Sequence, residues 1–300
     1  EELFDLGAHV ITTGNHIWDK KEIFEYMTVP AESHERGRRV LRPANYAVGT
    51  PGFGVYEGEL PTGQRYAVMN VQGRVFMSSC DDPFRKADEL LSKISAKVIL
   101  LDIHGEASSE KVALGWYLDG RVTAVLGTHT HIPTADERLL ELGTAYQTDV
   151  GMSGPYDSVI GVEKELVLQR FLTGMPGKFE PAKGNPKMCA PLIACDGATV
   201  RATRVQRMML GDVAADLRVE ERAADDERQD EEHDAPSREL RLLLRLRGGR
   251  EAPASRVAEG RGSCLPEIAR GGETALSPEL GAVARVLPER HVALGVRDAR

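Results

Sequence analysis

Short apolar runs separated by polar clusters set the rhythm of the first two hundred residues. Residues 9–12, 66–71, 98–103 and 123–126 are compact and rich in Val, Ile, Leu and Met. Such runs suit strands covered on both faces. Phe84, Ala87, Leu90, Leu91 and Ile94 recur at helical spacing, which predicts a helix over residues 83–96. A shorter helix is expected over 112–118, just before the fourth run. Residues 1–6 read as the last turns of a helix, with Gly7 as its C-cap. Strands alternating with helices predict a layered α/β body. The polar clusters follow the strands directly: Gly14-Asn15-His16, His104-Gly105-Glu106 and Gly127-Thr128-His129-Thr130-His131. In α/β sheets the carboxyl ends of strands are where ligands gather.

The pattern changes near residue 211. All ten lysines lie at or before Lys187, the last Phe, Tyr or Trp is Phe179, and residues 211–300 carry fifteen arginines. A stretch without these aromatics, opening on the charged run 212–236, has little from which to build a core. The expected division is a folded domain over 1–210 and a charged Arg/Glu/Ala/Gly-rich tail over 211–300, disordered rather than independently folded.

Charge and cysteine usage narrow the class. A net charge of −8 and a pI near 5.6 argue against a surface that coats nucleic acid. Cys80, Cys189, Cys195 and Cys264 show no CxxC spacing, so they offer neither a disulfide framework nor a thiolate zinc site. No run approaches the roughly 18 apolar residues of a spanning helix. The expectation is a soluble cytoplasmic protein with no membrane partner.

His129 and His131 carry the sharpest chemical signal. In an extended segment, residues i and i+2 face the same way, so H-x-H presents two imidazoles to one metal or to two adjacent ones. His104, after the run "VILLDI", reads either as a third ligand or as a structural histidine bonded to a carboxylate such as Glu106. Its company favours ligation. Glu106 and Glu110 read as partners that orient imidazoles or as the solvated start of a helix. An amide oxygen from Asn15 would complete a set of nitrogen and oxygen donors, which favours Mn, Fe or Zn over Ca or Mg. His16 cannot easily point at the same ion as its neighbour. It is free to donate a proton to a leaving alkoxide. Backbone amides around Gly151, Ser153 and Gly154 either contact substrate or form a plain turn.

Taken together, "GNHIWD", "NVQGRVFM", "DDPFRKAD", "HGEASSEK", "GWYLDGRVTAVLGTHTHIPTADER" and "TAYQTDVGMSGPYDSVIG" resemble the YmdB-like branch of the calcineurin-type metallophosphoesterases, from residue 1 to about 210. The resemblance implies a four-layered α/β/β/α sandwich and a dinuclear centre, with Fe or Mn preferred and Zn as an alternative. It implies attack by a metal-bound hydroxide on a small phosphodiester, with 2′,3′-cyclic nucleotides cleaved at the 2′-bond and RNA ends as a related substrate. Asn15, His104 and His129 would hold one ion, His131 the other, and His16 would be the proton donor. A homo-oligomer is compatible with the family.

The family pattern has two elements that do not appear in this sequence. One is a first strand ending in a metal-binding aspartate, and the other is a second strand ending in a Glu-Asn pair whose carboxylate bridges the ions. The expectation is therefore an N-terminally truncated member with its first strands missing. It would have an exposed sheet edge, hold one divalent ion instead of two, and show impaired turnover. The rival reading is a non-catalytic metal-binding regulatory protein that keeps the phosphoesterase pocket.

Overall fold

The structure is a computed structural model that describes residues 1–28 and 35–211, together with the backbone of 282–286 and 291–296. All of these lie in one unit, Glu1–Val213 with Ser277–Arg300. Its first elements are α1 (Glu2–Asp5), β1 (Val10–Thr12), α2 (Glu22–Thr28), α3 (Glu35–Arg38) and β2 (Val40–Leu41). Then come β3 (Val55–Glu59), β4 (Arg65–Gln72), α4 (Pro83–Leu91), β5 (Val98–His104), α5 (Ser108–Tyr117), β6 (Ala124–Thr128), β7 (Arg138–Leu139) and β8 (Ala145–Gln147). The remainder is β9 (Gly154–Pro155), α6 (Lys164–Thr173), β10 (Pro186–Cys195), β11 (Ala202–Leu210), β12 (Ala282–Val286) and β13 (His291–Val296).

Two sheets form. One has the order β3-β4-β5-β6-β8-β7, with β4, β5, β6 and β8 parallel. The other runs β11-β10-β13-β12-β1-β2. Alternate residues of the first sheet serve two cores. Val68, Leu100 and Leu126 pack with Val10, Leu41 and Ile193 of the second sheet. Met69, Leu101 and Val125 pack with Ala87 of α4 and with Leu114 and Leu118 in and beside α5. A third cluster joins Ile11 and Val40 to Phe4, Ile23 and Tyr26 on the helices of the second sheet. Helix, sheet, sheet and helix layers follow, so the apolar runs are strands buried on both faces. Each fully buried Val, Leu or Met contributes about 1.5–3 kcal/mol.

Local rules account for most element ends. The helix at the start closes in a Schellman motif: Gly7 N–H donates to Phe4 O, Ala8 N–H to Leu3 O, and Gly7 has φ 94°. Helix α4 starts where the Asp82 carboxylate accepts the Phe84 and Arg85 amides at 2.8 and 3.2 Å. It stops at Leu91, short of the Ile94 that its periodicity includes. The Glu57 carboxylate on β3 takes the Ser95 and Ala96 amides at 3.1 Å and draws the chain out of the helix.

Two further expectations are corrected, and one strand had no expectation to meet. Helix α5 begins at Ser108 instead of 112. Strand β10, which pairs with β11 from Met188–Leu210 to Cys195–Ala202, is unannounced in the sequence because Pro186 and Pro191 argue against a strand. Strand β1 is not an exposed edge: it pairs with β2 on one side and with β12 on the other. Within the 211–300 segment, β12 and β13 pair with each other and join the second sheet. The expectation of disorder over 212–281 falls on residues outside those described. Among the described residues, no helix is long and apolar enough to cross a membrane.

Candidate metal and phosphoester site

The site lies where the carboxyl ends of β1, β5 and β6 meet. In the parallel register Gln72, His104 and Thr128 stand side by side at the ends of β4, β5 and β6. The loop after β1 belongs to the other sheet and is tied across to this edge. Asn70 on β4 donates its side-chain amide to the carbonyls of Thr13 (2.6 Å) and Leu41 (3.1 Å). Gly14 makes the close approach possible. A Cβ at that position would fall onto the His104 ring, nearest its Nε2, so only a hydrogen lets the loop lie against the imidazole.

Asn15, His104 and His129 converge. Asn15 Oδ1 is 2.7 Å from His104 Nε2, and His129 Nδ1 is 3.1 Å from the same nitrogen. The far side of each ring decides what these contacts mean. Thr128 donates its one hydroxyl hydrogen to Asp102 Oδ1 (2.9 Å), so it can only accept from His104 Nδ1 (3.0 Å). That places a proton on His104 Nδ1. The Glu106 carboxylate sits 3.1 Å from His129 Nε2, which places a proton on that nitrogen.

With both rings neutral and their protons on the far nitrogens, two imidazole lone pairs and an amide oxygen would face one another. A cation would bind such a set of acceptors. Donors on adjacent corners of an octahedron at about 2.1 Å from an ion stand about 3 Å apart, which matches the observed separations. Among the described residues no group of three or more His, Cys, Asp or Glu side chains is placed to hold an ion. The set that fits one therefore depends on the Asn15 amide. Loss of the Glu106 carboxylate in Glu106→Ala is expected to weaken Mn²⁺ binding by about 10- to 100-fold, measured by competition with a chromophoric chelator.

His131 follows a different geometry from the one its spacing suggests. The segment after Thr128 is not extended: His129 has φ 107° and His131 φ 66°. The i, i+2 rule therefore does not apply. His131 is buried and its Nδ1 lies 2.8 Å from the Ile160 carbonyl. Two non-glycine residues with positive φ, two positions apart, mark backbone held against its preference, as happens at ligand sites. The holding group is the Asp149 carboxylate. It accepts the Thr130 amide (3.0 Å) and the Gly151 amide (2.9 Å) and pairs with Lys111 Nζ at 2.8 Å.

His16 lies half-exposed with Nδ1 2.9 Å from Asp19 Oδ2, which fixes the ring and leaves Nε2 for a partner. The loop 151–154 is bound into the fold. Gly151 N–H goes to Asp149, Met152 N–H to His131 O, the Ser153 hydroxyl bonds the backbone of Cys189, and Gly154 pairs with Lys187. The plain-turn reading accounts for these groups without a ligand.

Glu110 is not a solvated helix start. It is buried and accepts the Arg74 and Val75 amides at 2.9–3.2 Å. Asp102 is a residue that the motifs did not single out. Burial pushes its carboxyl up to about 7, against the hydrogen bonds from Thr12 and Thr128 that favour the charged form. The available signal was an aspartate inside an otherwise apolar run.

The family model for YmdB-like proteins matches residues 1–208. The 2′,3′-cyclic-nucleotide 2′-phosphodiesterase of Bacillus subtilis is 46% identical over 213 residues, covering 70% of this chain and 77% of that protein. A Thermus thermophilus protein of known structure is 44% identical with a TM-score of 0.62, over 69% of this chain and 78% of that one. A phosphatase from Mycoplasma pneumoniae is 30% identical with a TM-score of 0.63, over 69% and 74%. The family match runs from α1 into β11 and takes in the imidazole–amide cluster, and on that basis the chain belongs to the YmdB-like protein family.

Proposed function

We propose that the protein is a metal-dependent phosphodiesterase that opens 2′,3′-cyclic nucleotides at the 2′-bond. The observation that supports this best is the convergence of Asn15, His104 and His129 with each far ring nitrogen already bonded. The name of the Bacillus subtilis relative supplies the substrate class. Asn15, His104 and His129 would hold one divalent cation of the Mn, Fe or Zn group. When bound, it supplies Lewis-acid polarisation of the phosphoryl oxygens and an activated water. All three donors are neutral, so the substrate phosphate provides the countercharge. His131, engaged by the Ile160 carbonyl through Nδ1, would serve a neighbouring ion through Nε2.

The remaining work falls to the chain's own side chains. Thr128, with Asp102 behind it, and Glu106 engage the far ring nitrogens of His104 and His129, so that the inward nitrogens would be the ones turned to the ion. His16, oriented by Asp19 through Nδ1, gives its Nε2 proton to the ribose 2′-oxygen as the P–O2′ bond breaks. The product is a 3′-nucleotide. The same chemistry suits 2′,3′-cyclic ends of RNA. A single ion supports slower turnover than a pair would.

Incubation with 2′,3′-cyclic AMP and Mn²⁺ is expected to yield 3′-AMP, resolved from 2′-AMP by chromatography, and the yield should vanish with EDTA. His16→Ala should lower kcat by about 10²- to 10⁴-fold while Mn²⁺ affinity is unchanged. Formation of 2′-AMP would refute the assignment of the leaving oxygen. Mn²⁺ binding without turnover would favour the non-catalytic regulatory reading.

A further inference from the structure

The loop that follows β4 carries a feature the cation site does not use. Phe76 is 88% exposed, the most exposed Phe, Tyr or Trp among the described residues, and it adopts φ 61°. A large apolar ring in water and a bulky side chain in left-handed backbone are each unfavourable. They persist together only where the surroundings impose them, and such positions cluster at ligand sites.

Here the surroundings do impose them. Gly73 N–H donates to the His104 carbonyl at 2.9 Å, and the Gln72 side chain donates to Ser78 O (3.1 Å) and Ser78 Oγ (3.2 Å), closing the loop on itself. The buried Glu110 carboxylate takes the Arg74 and Val75 amides just before the ring. The Arg74 guanidinium pairs with Asp82 at 3.3 Å. Tyr46 links the loop's origin to the cation site, donating to Gln72 Oε1 at 2.8 Å with Gly14 O 3.4 Å away.

The chain also keeps the ring near the cluster. Three residues of chain reach at most about 11 Å, so Phe76 stands within that of Gly73, whose amide is bonded to His104. The ring is therefore exposed on a loop whose first amide is bonded to the backbone of His104.

We propose that Phe76 is the platform on which the nucleobase of the substrate stacks, making this site selective for nucleotides over base-free phosphodiesters. This rests on reading the site as a cyclic-nucleotide phosphodiesterase. Every base has a π-face, so the platform favours nucleotides as a class over any one base.

The test uses Phe76→Ala, Phe76→Gly and Phe76→Trp in the Mn²⁺-loaded protein. Glycine accepts the left-handed backbone without strain, so Phe76→Gly removes the ring without harming the fold. Calorimetric titration with adenosine 3′-monophosphate should show Kd raised about tenfold or more in the Ala and Gly variants and nearly unchanged in the Trp variant. Inorganic phosphate should bind all four proteins alike. With 2′,3′-cyclic AMP the loss should fall on KM and leave kcat within about twofold.

Equal nucleotide affinity in wild type and Phe76→Gly overturns the proposal, even if turnover proves the activity. Weakened phosphate binding in Phe76→Gly also overturns it, since the ring would then be supporting the site. So does a change of oligomeric mass with unaltered nucleotide binding. If wild type binds the nucleotide without hydrolysing any cyclic substrate, the activity reading fails and the affinity comparison still decides the role of Phe76. Absence of nucleotide binding by wild type overturns both.

Discussion

A single methyl group at residue 14 is expected to empty the proposed cation site. In Gly14→Ala the new Cβ would overlap three atoms of the His104 ring, closer than any real contact allows. The ring cannot swing away cheaply, because it is buried and its Nδ1 is held by Thr128, itself bonded to Asp102. The loop after β1 must move instead, and it carries Asn15 and His16. Displacing reacting groups by about 1 Å costs about 10²-fold in rate, and moving the Asn15 oxygen out of the proposed ligand set adds to that. Gly14→Ala should therefore lower Mn²⁺ affinity and cyclic-nucleotide hydrolysis each by about 100-fold or more. The thermal midpoint, read by circular dichroism, should move by only a few degrees because the apolar clusters are untouched. Wild-type Mn²⁺ binding in this variant would show that His104 and Asn15 do not share an ion.

Much of this site is visible in the sequence, because ligands of this kind sit at strand ends and apolar runs mark where strands end. The runs 66–71, 98–103 and 123–126 fall in β4, β5 and β6, and the clusters after the last two carry His104 and His129. What the sequence hides is set by contacts between distant residues. Helix α4 is cut short because Glu57 captures the amides of Ser95 and Ala96, 38 and 39 positions further along the chain. A carboxylate acting from that far away leaves no mark on the local apolar period. Pro186 and Pro191 likewise argue against a strand, yet β10 forms because β11 pairs along its length.

At the site itself, the H-x-H spacing pointed to two histidines for a reason the backbone does not bear out, since His129 and His131 sit in positive-φ positions. Their side chains are placed by a turn that Asp149 holds, and nothing near them in the chain announces that carboxylate. The groups behind the far ring nitrogens, Thr128 with Asp102 and Glu106, become readable only once β5 and β6 lie side by side.

The second large effect is expected from Lys111→Met. Lys111 on α5 and Asp149 after β8 are both buried, and their 2.8 Å contact balances two charges inside the protein. Removing one partner leaves the other charge uncompensated, which costs about 3–5 kcal/mol. For a folded unit of this size that lowers the thermal midpoint by roughly 6–20 °C. The double variant Lys111→Met/Asp149→Asn carries no buried charge at this position and should recover most of that loss. It should not recover Mn²⁺ affinity to the same degree. The Asp149 carboxylate also accepts the Thr130 and Gly151 amides, one on each of its oxygens, and so holds the strained turn that carries His129. An asparagine has one acceptor oxygen and can keep only one of those bonds. Stability and cation affinity should therefore part company in the double variant, the first returning and the second remaining depressed. Joint recovery of both would mean that Asp149 serves the fold alone and that the turn between His129 and His131 needs no carboxylate to hold it.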